Sequence, residues 1–239
     1  MANVAPLHEL VRRGPILSVG ILTADLAHLA DELSILESGA APLVHIDVMD
    51  GVFCPMMTVG PPFVKAIRTS CLKDVHLMID DPLPKVDAFV AVGADMVTFH
   101  LEGASQPHRV LAFMESLSNV NETERGIVRG VGLNPSTPLE QLEPLLDELE
   151  YVLILAIDPG WGGQHFLDST ARRLERVREM IARSGRPVVL GVDGGVTRQN
   201  IDHVAGLGAD VIVTGSAIFD GKAAAKNLAF MRSQLEGSS

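Results

Sequence analysis

Two histidines and two aspartates have the residue types and positions of a catalytic divalent-metal site. His45 and Asp47 lie two residues apart in one apolar run, His76 lies in a second run, and Asp193 ends a third. Side chains two residues apart on a strand share a face, so His45 and Asp47 would point the same way. A lone histidine is more often a hydrogen-bonded core residue. Recurrence at strand ends favours one divalent-metal site, and these ligand types suit zinc, iron(II), manganese or cobalt alike.

The elements that must position these side chains alternate along the chain. Short apolar runs rich in β-branched residues are each followed by a turn and then by helical periodicity. Helices are predicted, for example, over 24–37 and 169–183, each with apolar residues on one face. The predicted strands are 16–22, 43–48, 74–79, 96–101, 128–133, 151–157, 188–192 and 211–213.

Eight strands alternating with helices in 239 residues predict an α/β fold, a single-domain (β/α)8 or TIM barrel covering 1–239. An open, doubly wound sheet is the alternative. Residues 1–15 are predicted to form a short N-terminal extension, and 236–239 a frayed C-terminus. The polar segment 116–126 is predicted to be a surface excursion.

The carboxyl ends of the strands form the functional face of such a barrel. All four candidate ligands fall there, and so do several other polar residues whose roles the sequence leaves open. His100 and Glu102 could assist the site or only fill the top layer of the barrel, and the second, structural role is favoured. Asp50 is interpreted as a turn residue, and Asn134 and Asp158 as residues that begin loops.

Glycine clusters follow the last three predicted strands. Backbone N–H groups of such loops can cradle a phosphate without a cation. A single glycine more often only makes a turn, but three clusters on adjacent loops favour phosphate binding. The clusters contain no lysine, which argues against a nucleotide-binding P-loop. The candidate phosphate-binding residues are Gly162, Gly163, Gly194, Gly195, Gly215 and Ser216.

Composition narrows the classes of partner. The 30 acidic and 19 basic residues give a net charge of −11, which disfavours nucleic acid and anionic membranes. Cys54 and Cys71 have neither redox nor zinc-finger spacing and are predicted to be free thiols. The sequence contains no convincing signal peptide and no apolar run of membrane-spanning length, so we expect cytoplasmic residence. A homo-oligomer is the expected assembly.

The chain resembles the ribulose-phosphate 3-epimerase family from about residue 21 to 229. The resemblance is specific because several motifs occur in the same order. The matching segments are HIDVMDGVFCPMMTVGP (45–61), HLM (76–78), TFHLE (98–102), DPGWGGQ (158–164), VDGGV (192–196) and TGSAIF (214–219).

This resemblance implies a TIM barrel with one divalent metal ion and a small ketose phosphate as substrate. By position, His45, Asp47, His76 and Asp193 match the family's metal ligands, and Asp47 and Asp193 also match its acid–base pair. The implied reaction inverts C3 of D-ribulose 5-phosphate to give D-xylulose 5-phosphate, through an enediolate stabilised by the metal. The glycine clusters fall where the family binds phosphate. The implied sugar pocket contains Gly20, Met49, Met56, Met78 and Trp161.

The chain departs from the family's pattern in the sugar pocket. Gly20 replaces a serine at the end of the first strand, while Val52 and Met56 replace a histidine and an asparagine. Loss of polar groups can change which sugar is accepted. The alternatives are therefore another ketose phosphate, such as allulose 6-phosphate or a tetrulose or pentulose phosphate, and a non-catalytic sugar-phosphate or metal-binding barrel. The related decarboxylases and aldolases carry a lysine where this chain has Met49, which disfavours them.

Overall fold

The computed structural model describes residues 5–236, within which eight parallel strands close into a barrel in sequence order. The predicted TIM barrel is confirmed. Each strand is hydrogen-bonded to its neighbours in sequence, and β8 also pairs with β1. The strands are β1 Ile16–Gly20, β2 Leu43–Met49, β3 Leu72–Met78, β4 Met96–His100, β5 Val128–Leu133, β6 Tyr151–Leu155, β7 Val189–Asp193 and β8 Val211–Thr214.

Helices surround the barrel and bury the outer faces of the strands. In the described chain an α-helix follows every strand except β5, after which two short 3-10 turns, Leu139–Gln141 and Glu143–Leu145, occupy the helix position. One further helix precedes β1. The helices are α1 Ala5–Val11, α2 Leu29–Ser38, α3 Pro61–Ala66, α4 Val86–Val90, α5 Pro107–Glu115, α6 Ser169–Ser184, α7 Ile201–Ala205 and α8 Ala224–Glu236.

The first predicted helix begins later than the sequence pattern indicates. Periodicity predicted a helix from residue 24, but α2 begins at Leu29. A 3-10 turn, Leu26–His28, comes first, and the side chain of Asp25 accepts a hydrogen bond of 3.0 Å from the N–H of Ala27. Asp25 thus caps a tight turn, and the apolar periodicity continues across it.

The barrel interior differs between its two ends. Buried apolar side chains, among them Leu43, Met96 and Tyr151, fill its lower part, and Leu7 of α1 packs against them from below. Polar inward-facing side chains, including Ser18, Asp74 and Thr98, occupy the levels above. Because apolar side chains fill the lower part, the polar side chains that could take part in a reaction lie toward the carboxyl ends of the strands.

The segment 116–126 is only partly a surface excursion, because Asn119 is fully buried and Arg125 is 6% exposed. Both side chains bond to Asp95 at the lower end. Of the predicted N-terminal extension, residues 1–4 lie outside the described part of the chain, as do residues 237–239 of the predicted frayed C-terminus.

Candidate metal and acid–base site

The four candidate ligands converge at the carboxyl ends of β2, β3 and β7. One donor atom from each of His45, Asp47, His76 and Asp193 lies within 4.8 Å of the other three. The Oδ1 atom of Asp47 is 3.1 Å from Nε2 of His45 and 3.0 Å from Nδ1 of His76. The Oδ2 atom of Asp193 is 3.8 and 3.7 Å from the same two nitrogens. Strand register explains part of this convergence, since Asp47 pairs with His76 across β2 and β3.

The imidazoles and the carboxylates differ in exposure. The side chains of His45 and His76 are fully buried, whereas those of Asp47 and Asp193 are 23% and 20% exposed. Within this cluster, the carboxylates are therefore the groups that a molecule arriving at the open end of the barrel can touch.

Burial and charge push the two carboxyl groups toward opposite protonation states. Burial and the neighbouring charge of Asp47 raise the pKa of Asp193 to about 6. Burial also acts to raise the pKa of Asp47, but the charges and hydrogen bonds of His45 and His76 outweigh it and lower that pKa far below its ordinary value. Near neutral pH Asp47 is ionised, while Asp193 holds a proton more readily than an ordinary aspartate does.

The donor set fits a divalent cation. Two imidazole nitrogens and two carboxylate oxygens are ligands for zinc and for first-row transition metals. Ligands about 2.1 Å from a tetrahedral ion lie roughly 3.4 Å apart, and the four nitrogen–oxygen separations here range from 3.0 to 3.8 Å. His45 and Asp47 from β2, His76 from β3 and Asp193 from β7 would hold the ion.

Asp74 belongs to the site, although the sequence did not single it out. Its Oδ2 atom lies 2.7 Å from Nδ1 of His45 and accepts a 2.8 Å hydrogen bond from the hydroxyl of Ser18. A carboxylate on one ring nitrogen fixes the other nitrogen as the lone-pair donor. Burial lowers the pKa of His45, but Asp74 and Asp47 raise it well above its ordinary value, so a cation binding there must displace a proton. The pattern Asp74-x-His76, a charge inside an apolar strand, is the signal that could have revealed it.

His100 and Glu102 form a second chain of polar groups behind His76. Nε2 of His76 is 2.8 Å from Nε2 of His100, and Nδ1 of His100 is 3.0 Å from Oε2 of Glu102. Burial lowers the pKa of His100, and bonds from His100, Thr137 and the N–H of Asn134 outweigh burial to lower the pKa of Glu102 to about 2. These two residues are therefore linked to the site through His76.

The glycine clusters lie on the loops after β6, β7 and β8. A Cβ atom at Gly195, where φ is +68°, would lie 2.5 Å from the backbone nitrogen of Phe166. A Cβ atom at Gly215 would lie 2.7 Å from the carbonyl oxygen of Gly20. These loops therefore approach other backbone so closely that a side chain does not fit. Gly162 and Gly163 are open on their Cβ side, and Gly194 and Ser216 complete the set.

The predicted sugar-pocket residues are spread around the same end of the barrel. Met49 and Met78 pair across β2 and β3, two residues beyond Asp47 and His76. Gly20 ends β1 beside Gly215. Met56 and Trp161 lie on the loops after β2 and β6 and are 40% and 50% exposed.

The residues interpreted as loop elements have specific partners. Asp50 accepts hydrogen bonds from the N–H groups of Val52 and Phe53, as a turn residue does. The N–H of Asn134 donates to Glu102, and the N–H of Asp158 donates to the side chain of Gln164.

Fold and site together define a (β/α)8 barrel with convergent imidazoles and carboxylates at its functional face. The model of the Ribulose-phosphate 3 epimerase family matches residues 16–219. The ribulose-phosphate 3-epimerase of Bacillus subtilis (strain 168) is 39% identical over 202 residues, covering 83% of this chain and 89% of the relative. That of Escherichia coli (strain K12) is 38% identical over 223 residues, covering 92% and 96%. The chain belongs to the ribulose-phosphate 3-epimerase family, and the prediction of an isomerase that acts on carbohydrates is confirmed.

A solved structure shares the fold at much lower identity. KGPDC from Streptococcus mutans superimposes with a TM-score of 0.66 at 16% identity, covering 92% of this chain and 97% of that one. The likeness extends to the barrel alone. Across residues 5–236, no helix is long and apolar enough to cross a membrane.

Proposed function

We propose that this chain is a metal-dependent 3-epimerase of a ketose phosphate, interconverting D-ribulose 5-phosphate and D-xylulose 5-phosphate. The observation that carries the proposal is the pair Asp47 and Asp193, two partly exposed carboxyl groups that meet over two buried imidazoles. The relatives' name supplies the substrate. We also propose cytoplasmic residence and a homo-oligomeric state, in line with the sequence-based predictions.

Inversion at C3 requires removal of a proton from one face of the carbon and delivery of a proton to the other. Two carboxyl groups on opposite sides of the substrate provide this, if one starts ionised and the other protonated. In the metal-free protein the pKa values of Asp47 and Asp193 are shifted in opposite directions, which supports assigning the base to Asp47 and the acid to Asp193. Asp47 would accept the proton from C3 and Asp193 would donate one to the opposite face, with the roles reversed in the back reaction.

The remaining residues position and shield the substrate. A bound divalent ion, held by His45, Asp47, His76 and Asp193, would polarise the substrate carbonyl and offset the negative charge that develops on its oxygen. Met49 and Met78 would form a polarizable apolar wall that limits access of water to the reacting carbon. Backbone N–H groups of the three glycine loops would hold the phosphate.

A second candidate function keeps the chemistry and changes the sugar. Gly20 lacks the hydroxyl that the family's serine would offer, and Val52 and Met56 are apolar and 72% and 40% exposed. The loss of polar groups at these three positions makes another substrate the alternative, either allulose 6-phosphate or a tetrulose or pentulose phosphate. A non-catalytic barrel is disfavoured because a binding protein has no need of two carboxyl groups on opposed faces.

Proton NMR in deuterated water tests reaction and substrate together. Metal-loaded protein is incubated separately with D-ribulose 5-phosphate, allulose 6-phosphate and unphosphorylated D-ribulose. We expect deuterium at C3 and the epimer to accumulate with ribulose 5-phosphate, and little exchange without the phosphate. Faster exchange with allulose 6-phosphate would favour the second candidate. Absence of exchange from all three sugars with metal bound would refute the proposed epimerisation of ribulose 5-phosphate.

A further inference from the structure

We propose that His100 and Glu102 are positioning residues that determine which ring nitrogen His76 offers to the metal. The inference rests on the metal site proposed above. It extends that site beyond the ligands, to His100 and Glu102, which lie one and two hydrogen bonds behind His76. The resemblance assigns neither of them a role.

The hydrogen bonds impose one consistent placement of protons along this chain. Glu102, an ionised carboxylate, can only accept, so Nδ1 of His100 at 3.0 Å must donate to it. A neutral His100 then has its lone pair on Nε2, which accepts a hydrogen bond from Nε2 of His76 at 2.8 Å. His76 thereby donates from Nε2, and its Nδ1 faces Asp47 and Asp193, where a metal ion would displace the proton shared with Asp47. Glu102 thus sets the tautomer of two histidines in succession.

The surroundings hold this arrangement in place. The side chains of His76 and His100 are fully buried, and the ring of Phe53 packs at 4.9 Å against that of His100. Oε1 of Glu102 accepts hydrogen bonds from the N–H of Asn134 and the hydroxyl of Thr137. The carbonyl groups of these last two residues accept in turn from the guanidinium of Arg173 in α6. Glu102 is therefore fixed by the loop after β5.

The two histidine ligands are oriented by different routes. Asp74 acts on His45 directly, through a single bond of 2.7 Å. His76 has a second histidine between itself and its carboxylate. Loss of a group that orients a metal-binding histidine typically lowers metal affinity 10- to 100-fold.

The variant E102Q should reverse the chain of hydrogen bonds with little change of shape. The N–H of Asn134 still needs an oxygen, so the amide nitrogen of Gln would face Nδ1 of His100. The His100 proton would move to Nε2 and the His76 proton to Nδ1, blocking the ligand atom. Measured by competition with a chromophoric chelator, the affinity for Zn²⁺ should fall about 10- to 100-fold. The control E148Q removes the carboxylate beside the exposed His108, 2.7 Å away, and should change affinity less than about twofold.

Nitrogen-15 NMR of the histidine rings separates this role from simple structural support. In wild type loaded with Zn²⁺ we expect the proton of His100 on Nδ1 and that of His76 on Nε2. In metal-free E102Q we expect the proton of His100 on Nε2 instead. A proton on Nε2 of His100 in the wild type would overturn the proposal even if E102Q did not fold. Wild-type Zn²⁺ affinity in folded E102Q would overturn it too, without affecting the epimerase proposal. A wild type that binds no Zn²⁺ would refute the metal site and this inference together.

Discussion

The lower and upper ends of the barrel each bury aspartate side chains, and the partners of those side chains differ. At the lower end, Asp95 precedes β4 and is surrounded by hydrogen-bond donors. It accepts bonds of 2.7 to 3.1 Å from Arg125, Asn119 and Asn121, and one of 2.9 Å from the N–H of Lys73. Its charge is matched by a guanidinium that is itself only 6% exposed.

At the upper end, acceptors gather without enough donors. Asp47 shares one oxygen between two imidazoles, and Asp193 lies 3.7 to 3.8 Å from both rings, beyond hydrogen-bond range. Burial and the charge of Asp47 raise the pKa of Asp193, and neither imidazole is close enough to offset them with a hydrogen bond. A buried charge that the protein satisfies by itself stabilises structure, whereas convergent lone pairs that it leaves unsatisfied prepare a place for a cation and a substrate.

Removing an upper carboxylate should cost most of the activity. Asp47→Asn and Asp193→Asn each eliminate one proton-transfer group, and we expect kcat for epimerisation to fall about 10³-fold or more. Activity is measured by the deuterium-exchange assay, with the metal content of each variant determined in parallel. Either variant turning over near the wild-type rate with metal bound would contradict the two-carboxylate scheme.

Asp193→Asn should also change how stability depends on pH in the metal-free protein. The folded pKa of about 6 lies above the ordinary value of 3.8, so folding favours the protonated form. The free energy of unfolding should therefore fall as pH rises from about 4 through 6. The asparagine variant should lack this fall and be more stable by about 1 to 3 kcal/mol at pH 7. Urea unfolding at pH 4 and pH 7 measures both effects.

Removing the lower carboxylate should give the opposite result. Asp95→Ala leaves the buried Arg125 with Glu122, 61% exposed, as its remaining carboxylate partner. We expect a loss of about 3 kcal/mol in the free energy of unfolding and an unchanged kcat per folded molecule. Glu140→Gln, which breaks an exposed pair with Arg176, is the control and should cost less than about 0.5 kcal/mol. A large loss of activity in folded Asp95→Ala would contradict the proposal that the lower aspartate is structural and only the upper ones are catalytic.

The upper end was easier to predict from the sequence than the lower end. Strand parity places His45 and Asp47 on one face, and parallel strands bring their carboxyl ends together, so the cluster with His76 and Asp193 could be expected. Asn119 could not be recognised as buried, because a polar residue in a polar segment indicates exposure unless its partner is known.

Two further features depend on three-dimensional packing. Asp74 is inward-facing and fully buried, and although its spacing from His76 places both on one face, only the structure shows that its partner is His45. The order of protons from Glu102 to His76 depends on distances between β4, its following turn and β3. The residue types were visible in the sequence, but the direction in which each hydrogen bond runs required the structure.

The glycine loops allow a matched comparison between the ends. Gly195, at the upper end, and Gly185, which ends α6 at the lower end, have φ of +68° and +66°. A Cβ atom at Gly185 would have no neighbour within 4 Å, whereas one at Gly195 would meet Phe166. Gly185→Ala should lose about 1 kcal/mol of stability through left-handed strain alone, and Gly195→Ala should lose more because its Cβ atom would also clash with the backbone of Phe166. We expect only Gly195→Ala to raise KM for the ketose phosphate, about tenfold, and equal KM values would argue against phosphate binding by this loop.

The smallest expected effect concerns the choice of sugar at Gly20. Its φ of −69° suits any residue, and a Cβ atom there would lie 3.6 Å from Cα of Gly215, an ordinary contact. Gly20→Ser should therefore fold normally and return a hydroxyl to the pocket. We expect the ratio of kcat/KM between ribulose 5-phosphate and allulose 6-phosphate to rise by up to about tenfold. The control Gly206→Ser, at the lower end beside the carbonyl of His203, should leave the ratio unchanged. Equal ratios in the two variants would mean that sugar selection does not depend on a hydroxyl at position 20, and would direct attention to Val52 and Met56 instead.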